Sequence, residues 1–128
     1  DRVLALDFAP TAIAEAKRRN GALANVEFRC GGVPEALADG DGPFDLIVLA
    51  EMGYYFTPVA LRSLAAQLAA RLVEGGDFLA EHWTGESAYH TLGAALTHQL
   101  LDMSLAWPVT RHVRDDDFLL SCWRKPAA

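Results

Sequence analysis

The chain has 128 residues, 52% of them hydrophobic, 22% charged and 9% aromatic, which describes one well-packed globular domain and leaves no room for a second. Eleven Lys and Arg against seventeen Asp and Glu give a formal charge of −6, so no general attraction to a phosphate backbone is expected and nucleic acid is excluded as a partner. The longest apolar run, residues 44–50, carries Asp45 and falls far short of the roughly 20 residues that span a bilayer, so no membrane partner is expected either.

The chain opens on Asp-Arg-Val-Leu-Ala-Leu-Asp, with neither an initiator Met nor a signal peptide, directly in a strand pattern. Residues 3–6 form a short apolar run ending at Asp7, and Pro10 and Thr11 open a stretch of helix formers that Asn20 and Gly21 stop. Residues 26–30 alternate apolar and polar into Gly31-Gly32, a second strand. Turn formers fill 34–42. Residues 43–50 then read as a near-continuous apolar strand of the doubly buried parallel kind, expected at the centre of the sheet. Thr57-Pro58 supplies an N-cap and first-turn proline for an amphipathic helix carrying Leu61, Leu64, Leu68 and Leu72, and Gly75-Gly76 ends it. Residues 77–83 give the next strand. Residues 89–103 read as a helix with Leu92, Leu96, Leu100 and Met103 on one face.

Residues 109–114 and 118–124 are two strands joined by Asp115-Asp116-Asp117, a hairpin. The acidic triplet reads as a polar turn, not a carboxylate cluster. Alternating strands and helices followed by an antiparallel hairpin predict an α/β fold with a mostly parallel, mixed, doubly wound Rossmann-like sheet. Cys30 and Cys122, far apart and without a CxxC or His cluster, read as reduced core residues of a cytoplasmic protein. His90, His98 and His112 have no metal-ligand spacing and read as surface residues, and no metal site is expected. Trp107 and Trp123 read as packing for the hairpin.

In a doubly wound sheet, ligands bind beyond the carboxyl ends of the strands. Four such places stand out. Asp7 can take both hydroxyls of a ribose or cap the Pro10 helix, and Phe8 can lie against a base. Gly31, Gly32 and Val33 let the backbone approach a flat ligand, with a free N–H to read an adenine edge. Glu51 follows an apolar run and is placed near the crevice, where it serves cofactor or substrate amine or stands as a solvated loop residue. Met52, Gly53, Tyr54 and Tyr55 follow it. Tyr54 and Tyr55 are substrate platforms or packing aromatics, and Trp83 can face substrate. His82 is either a general base near neutrality or a hydrogen-bonded strand histidine. These features describe a nucleoside pocket with a reactive group beyond it.

Three segments carry a family likeness: Val-Leu-Ala-Leu-Asp-Phe-Ala-Pro-Thr-Ala-Ile-Ala-Glu-Ala-Lys-Arg-Arg, Gly-Pro-Phe-Asp-Leu-Ile-Val-Leu-Ala-Glu-Met-Gly-Tyr-Tyr, and Leu-Val-Glu-Gly-Gly-Asp-Phe-Leu-Ala-Glu-His-Trp. The chain resembles class I S-adenosylmethionine-dependent methyltransferases over nearly its whole length. Within them, Glu51, Tyr54-Tyr55 and His82-Trp83 make it similar to the nodulation-type (NodS-like) N-methyltransferases that act on amino sugars. The resemblance implies S-adenosylmethionine as cofactor, with Asp7 on the ribose, Phe8 and Gly32 beside adenine, Val33 offering its backbone to the base, and Glu51 with Met52 lining the methionine end. It implies a small-molecule acceptor, for which Tyr54, Tyr55 and Trp83 are the candidate contacts, and an in-line displacement for which His82 and Glu51 are the candidate catalytic residues.

The sequence departs from that family in two places. Gly32 stands where many members have an Asp for the adenine amino group, and the glycine-rich turn of the first strand and helix would lie before Asp1. The chain therefore reads as a single, N-terminally truncated methyltransferase domain over residues 1–128, its absent strand belonging between those that end at Asp7 and Glu51. Unpaired buried backbone groups cost about 1–3 kcal/mol each, so the two edges are expected to be completed by an N-terminal segment, by direct closure, or by exchange within a homodimer. The alternative from another class is a non-catalytic methyltransferase-like module for interaction or dimerisation. A nicotinamide oxidoreductase would use Asp7 equally well but does not explain the hairpin.

Overall fold

A computed structural model describes residues 1–128, which fold as two compact units, residues 1–41 and 42–128. In the first, β1 (Val3–Asp7) and β2 (Val26–Cys30) pair in parallel, from Val3 opposite Val26 to Asp7 opposite Cys30. Helix α1 (Pro10–Asn20) connects them, with proline at its start, Lys17, Arg18 and Arg19 in its last turn and Ile13 buried. That charge placement favours the helix dipole. Glu15 pairs with Arg18 and Arg19 on the exposed side, and these contacts hold its carboxyl below the usual range.

The second unit holds β3 (Phe44–Ala50), a short 3-10 turn (Gly53–Tyr55), α2 (Pro58–Ala70), β4 (Leu72–Trp83), α3 (Ala94–Leu105), β5 (Val109–Arg114) and β6 (Phe118–Arg124). Its four strands run in the order β3-β4-β6-β5, with β3 parallel to β4 and the remaining pairs antiparallel. The closing hairpin falls where the sequence places it. Asp115 closes its turn by accepting the Asp117 N–H at 2.8 Å. The fold is thus α/β with a mixed set of strands, as expected.

Helices α2 and α3 pack on each other and on β4 and β6. Thr57 caps α2 by accepting the Ala60 N–H at 3.2 Å, and Leu61, Leu64, Ala65 and Leu68 form its buried side. On β4 the buried face alternates through Gly76, Phe78, Ala80 and His82, the period-two signature of a strand with one face on the core. Leu119, Ser121 and Trp123 do the same on β6, and Trp123 Nε1 donates to Asp102 on α3 at 2.8 Å.

Several expectations change. Strand β4 begins at Leu72, so Leu72 belongs to the strand, and Gly75 and Gly76 lie inside it. Strand β3 is hydrogen-bonded on one side only in its sheet, and Leu46 and Val48 are each 54% exposed, so it is not a doubly buried central strand of that sheet. Helix α3 starts five residues later than the periodicity predicts, because residues 84–93 form an irregular segment. Its buried side is Ala94, Thr97, His98, Leu101 and Leu105, whereas Leu96 and Met103 are exposed. The bulkier apolar stripe lost to a face with smaller side chains and two polar residues that find partners inside. His98 is accordingly buried, not a surface residue, and Cys30 is exposed, not core.

The corrected face makes a quantitative difference. Leu101→Ala is expected to lower stability by about 2–5 kcal/mol and Leu96→Ala by no more than about 0.5 kcal/mol, read from urea unfolding midpoints.

Candidate functional site

In the first unit, the end of β1 presents Asp7 and Phe8. Asp7 Oδ1 accepts the Ala9 N–H at 2.9 Å, which fixes the turn into α1, while Oδ2 makes no hydrogen bond. The capping reading and the ligand reading therefore share one carboxylate. Phe8 projects its ring outward at 70% exposure, free to lie against a flat partner. Gly31 donates its N–H to the Asp7 carbonyl at 2.9 Å, Gly32 accepts from Ala36 at 2.7 Å, and the Val33 N–H has no protein acceptor.

In the second unit, the chain leaves β3 through Glu51, whose φ of 56° lies in the left-handed region. For a non-glycine residue this conformation costs on the order of 1–3 kcal/mol and persists only where the surroundings hold it. Three contacts hold Glu51. Its N–H donates to the Glu81 carbonyl at 2.9 Å, Oε1 accepts the Trp83 N–H at 2.7 Å, and Oε2 accepts the Tyr54 hydroxyl. Tyr54 is buried, and burial together with the Glu51 carboxylate holds its phenol well above the ordinary value, so it stays a donor. Burial, and then the neighbouring Glu51 charge, also raise the Glu81 carboxyl.

An aromatic cluster surrounds this turn. Tyr54 stacks on His90 at 3.7 Å between ring centroids and meets Tyr55 edge-on at 5.1 Å, while Trp83 approaches His90 at 6.1 Å. Tyr55 and Trp83 keep roughly half of their surface exposed, as acceptor platforms require, whereas Tyr54 is structural as well as polar. Tyr54's carbonyl accepts the N–H groups of Thr91 and Leu92 at 2.8 and 2.9 Å, tying the turn to residues 84–93. Most of that segment, Thr84, Ser87 and His90 included, lines a cavity of about 640 Å³ together with Arg114 and Leu119.

His82 is fully buried and both of its ring nitrogens are engaged. Nε2 accepts the Gly53 N–H at 2.9 Å and Nδ1 lies 2.9 Å from His98 Nε2. His98 Nδ1 in turn lies 2.9 Å from Ser121 Oγ, which is 3.1 Å from His112 Nδ1. Burial lowers the pKa of His82 to about 3 and that of His98 to about 4. A group with no exposed nitrogen and so low a pKa cannot take a proton from a substrate near neutrality, so the general-base reading of His82 gives way to the hydrogen-bonded one. Of the expected residues in this unit, Glu51, Met52, Tyr54, Tyr55 and Trp83 gather at one turn, and His82 lies behind it in the core. His98, Ser121, His90 and Arg114 are additions. The phase of His82 with Phe78 and Ala80 was the one signal in the sequence that it faces inward.

The methyltransferase domain family matches residues 1–76, more than half of the chain, and the chain belongs to that family. A search of curated proteins returns no match. Among solved structures, one assigned as a methyltransferase from Pseudomonas syringae superposes with a TM-score of 0.82 at 26% identity, covering 98% of this chain and 74% of that one. The N-methyltransferase NodS from Bradyrhizobium japonicum WM9, in complex with S-adenosyl-L-homocysteine, gives 0.81 at 23% identity, covering 98% and 67%. An O-methyltransferase family protein from Burkholderia thailandensis gives 0.72 at 13%, covering 98% and 43%. The fold is the Rossmann-like fold of class I S-adenosylmethionine-dependent methyltransferases, and it is NodS-like. S-adenosylmethionine is the cofactor of that class. The residues fit it within the first unit: a carboxylate oxygen without a partner, an exposed ring beside it and a backbone N–H without an acceptor suit a ribose, a base face and a base edge. No helix is long and apolar enough to cross a membrane.

The buried histidines give stability a pH dependence. Both have folded pKa values below the unfolded value of about 6.5, so the unfolded chain binds the extra protons and stability is lost as pH falls from about 6.5 toward the folded values. Urea unfolding at pH 5 should show a loss on the order of 2 kcal/mol for each histidine relative to pH 8.

Proposed function

We propose that this chain transfers the methyl group of S-adenosylmethionine to the nitrogen of a small amine, an amino sugar by its likeness to NodS. The observation that carries the reading is Glu51: a carboxylate held in a left-handed conformation, both oxygens fixed by Trp83 and Tyr54, at the head of an aromatic turn. Residues kept in such conformations cluster where geometry serves function. Each carboxylate oxygen has a second acceptor position, which suits an amine N–H.

The cofactor, when bound, supplies an electrophilic methyl group on a sulfonium. Within the first unit, Asp7 Oδ2 would hold the ribose hydroxyls, Phe8 would cover the adenine, Gly32 would leave room beside it and the Val33 N–H would read its edge. Glu51 orients the amine, Tyr55 and Trp83 give it a stacking surface, and the hydroxyls of Thr84 and Ser87 with Arg114 line the space for a polyhydroxylated body. Positioning and partial desolvation carry the catalysis. The amine reacts through a free lone pair, and the proton on the methylated nitrogen leaves to water. The free thiols Cys30 and Cys122 suit a reducing, cytoplasmic setting.

Calorimetry of S-adenosylhomocysteine with the intact chain should give micromolar affinity, about −8 kcal/mol. Asp7→Ala should weaken it by about tenfold or more, equivalent to roughly 1.4 kcal/mol. Glu51→Gln should leave that affinity within about threefold while methylation of D-glucosamine falls at least about tenfold, since only the amide's oxygen can still accept. Transfer to hydroxyl acceptors with none to amines overturns the amine assignment. Absence of cofactor binding would favour a non-catalytic module.

A further inference from the structure

The hydrogen bonds behind the aromatic turn form a single directed chain. Gly53 contributes a peptide N–H, which can only donate, so His82 Nε2 must be an unprotonated acceptor. A neutral imidazole then carries its proton on Nδ1 and donates it to His98 Nε2, 2.9 Å away. The same logic puts the His98 proton on Nδ1, directed at Ser121 Oγ, and leaves the Ser121 hydroxyl proton for His112 Nδ1. One backbone donor thus fixes the tautomers of two buried histidines on β4 and α3 and the hydroxyl of a serine on β6. His82, His98 and Ser121 are all at most 5% exposed, so no water competes for these bonds.

The chain ends on a glycine that is itself clamped. A Cβ at Gly53 would lie 2.8 Å from Thr97 Cγ2 and 2.9 Å from His82 Nε2, so the turn seats its backbone directly on the imidazole and α3. The Tyr54 ring meets the His82 ring edge-on at 4.9 Å, and its hydroxyl reaches Glu51. Because a peptide N–H does not give up its proton, this line of groups cannot carry protons to the reaction. It can carry orientation.

We infer that His82 and His98, backed by Ser121, are positioning residues that lock the Gly53–Tyr54 turn and thereby set where Tyr54 and Glu51 stand. The inference rests on the proposed methyl transfer only for its consequence in catalysis; the relay itself is testable without it. In the intact chain, nitrogen-15 NMR of the imidazoles should show both His82 and His98 as neutral Nδ1–H tautomers from pH 7.5 down to pH 5.5. His98→Leu, which removes the acceptor for His82, should speed hydrogen exchange at the Gly53 amide at least about tenfold and shift the Tyr54 ring resonances. His98→Gln, whose side-chain oxygen can take the place of Nε2, should restore both to near the parent values.

An Nε2–H tautomer at either histidine, or titration of either near pH 6.5, overturns the relay. A folded His98→Leu chain with unchanged Gly53 exchange and an unchanged Tyr54 ring overturns the positioning role. Should His98→Leu not fold, the tautomers of the intact chain decide the matter. Correct tautomers in a chain that neither binds S-adenosylhomocysteine nor methylates D-glucosamine would uphold the relay while removing the proposed reaction.

Discussion

The hydrogen bond from the Gly53 N–H to His82 Nε2 is the constraint on which the second unit's site depends. It is a contact between a turn that follows β3 and the inner face of β4, two strands that run side by side in parallel. Without it a buried peptide N–H would be left unpaired at a cost of about 1–3 kcal/mol, and the turn would have little reason to lie flat on the core. With it, the residues on either side are set: Glu51 enters the turn in its left-handed conformation, and Tyr54 leaves it pointing back at the Glu51 carboxylate. The core and the candidate site are therefore not separate regions. The buried imidazole that meets the rings of Tyr54 and His98 edge-on also shapes the polar surface above it.

This division of labour resolves the chemistry that His82 cannot perform. Methyl transfer to an amine asks the protein for placement more than for a strong base, because no covalent intermediate forms and the leaving group is already a good one. A histidine buried with a pKa near 3 suits that demand, since it keeps one protonation state and one orientation across the range in which the enzyme would work. The tyrosine above it is likewise held as a neutral donor by burial and by the adjacent carboxylate. In the proposed reaction, Glu51, the exposed faces of Tyr55 and Trp83, and the polar lining of the cavity along residues 84–95 are left to meet substrate.

Much of the fold was legible from the sequence because its strands and caps announce themselves locally. Residues 26–30, 44–50, 109–114 and 118–124 are strands where alternation or apolar runs place them, and Thr57-Pro58 starts a helix for the reason its chemistry gives. What was not legible depended on tertiary choice. Leu92, Leu96, Leu100 and Met103 make the more hydrophobic stripe, yet the helix turns Thr97 and His98 inward, because β4 and β6 offer His98 polar partners that sequence periodicity cannot see and the Thr97 hydroxyl is satisfied by the Gly93 carbonyl of its own helix. Glu51, Met52, Tyr54, Tyr55 and Trp83 could be grouped from the sequence because they stand at or just after strand ends. His82 follows the same rule by position but not by direction, and its side chain obeys the strand's period-two alternation instead.

The directed run of hydrogen bonds through positions 82, 98 and 121 has a consequence for how this sequence can drift. A half-satisfied buried polar network is worse than an apolar core, so a single neutral-looking exchange at any of the three strands a partner in the interior. Replacing His98 and Ser121 together by apolar residues still leaves the buried His82 Nδ1–H without an acceptor, and position 82 must itself supply an acceptor for the Gly53 N–H. The three sites are thus inherited as a unit, anchored at one end to a peptide N–H that every residue but proline supplies.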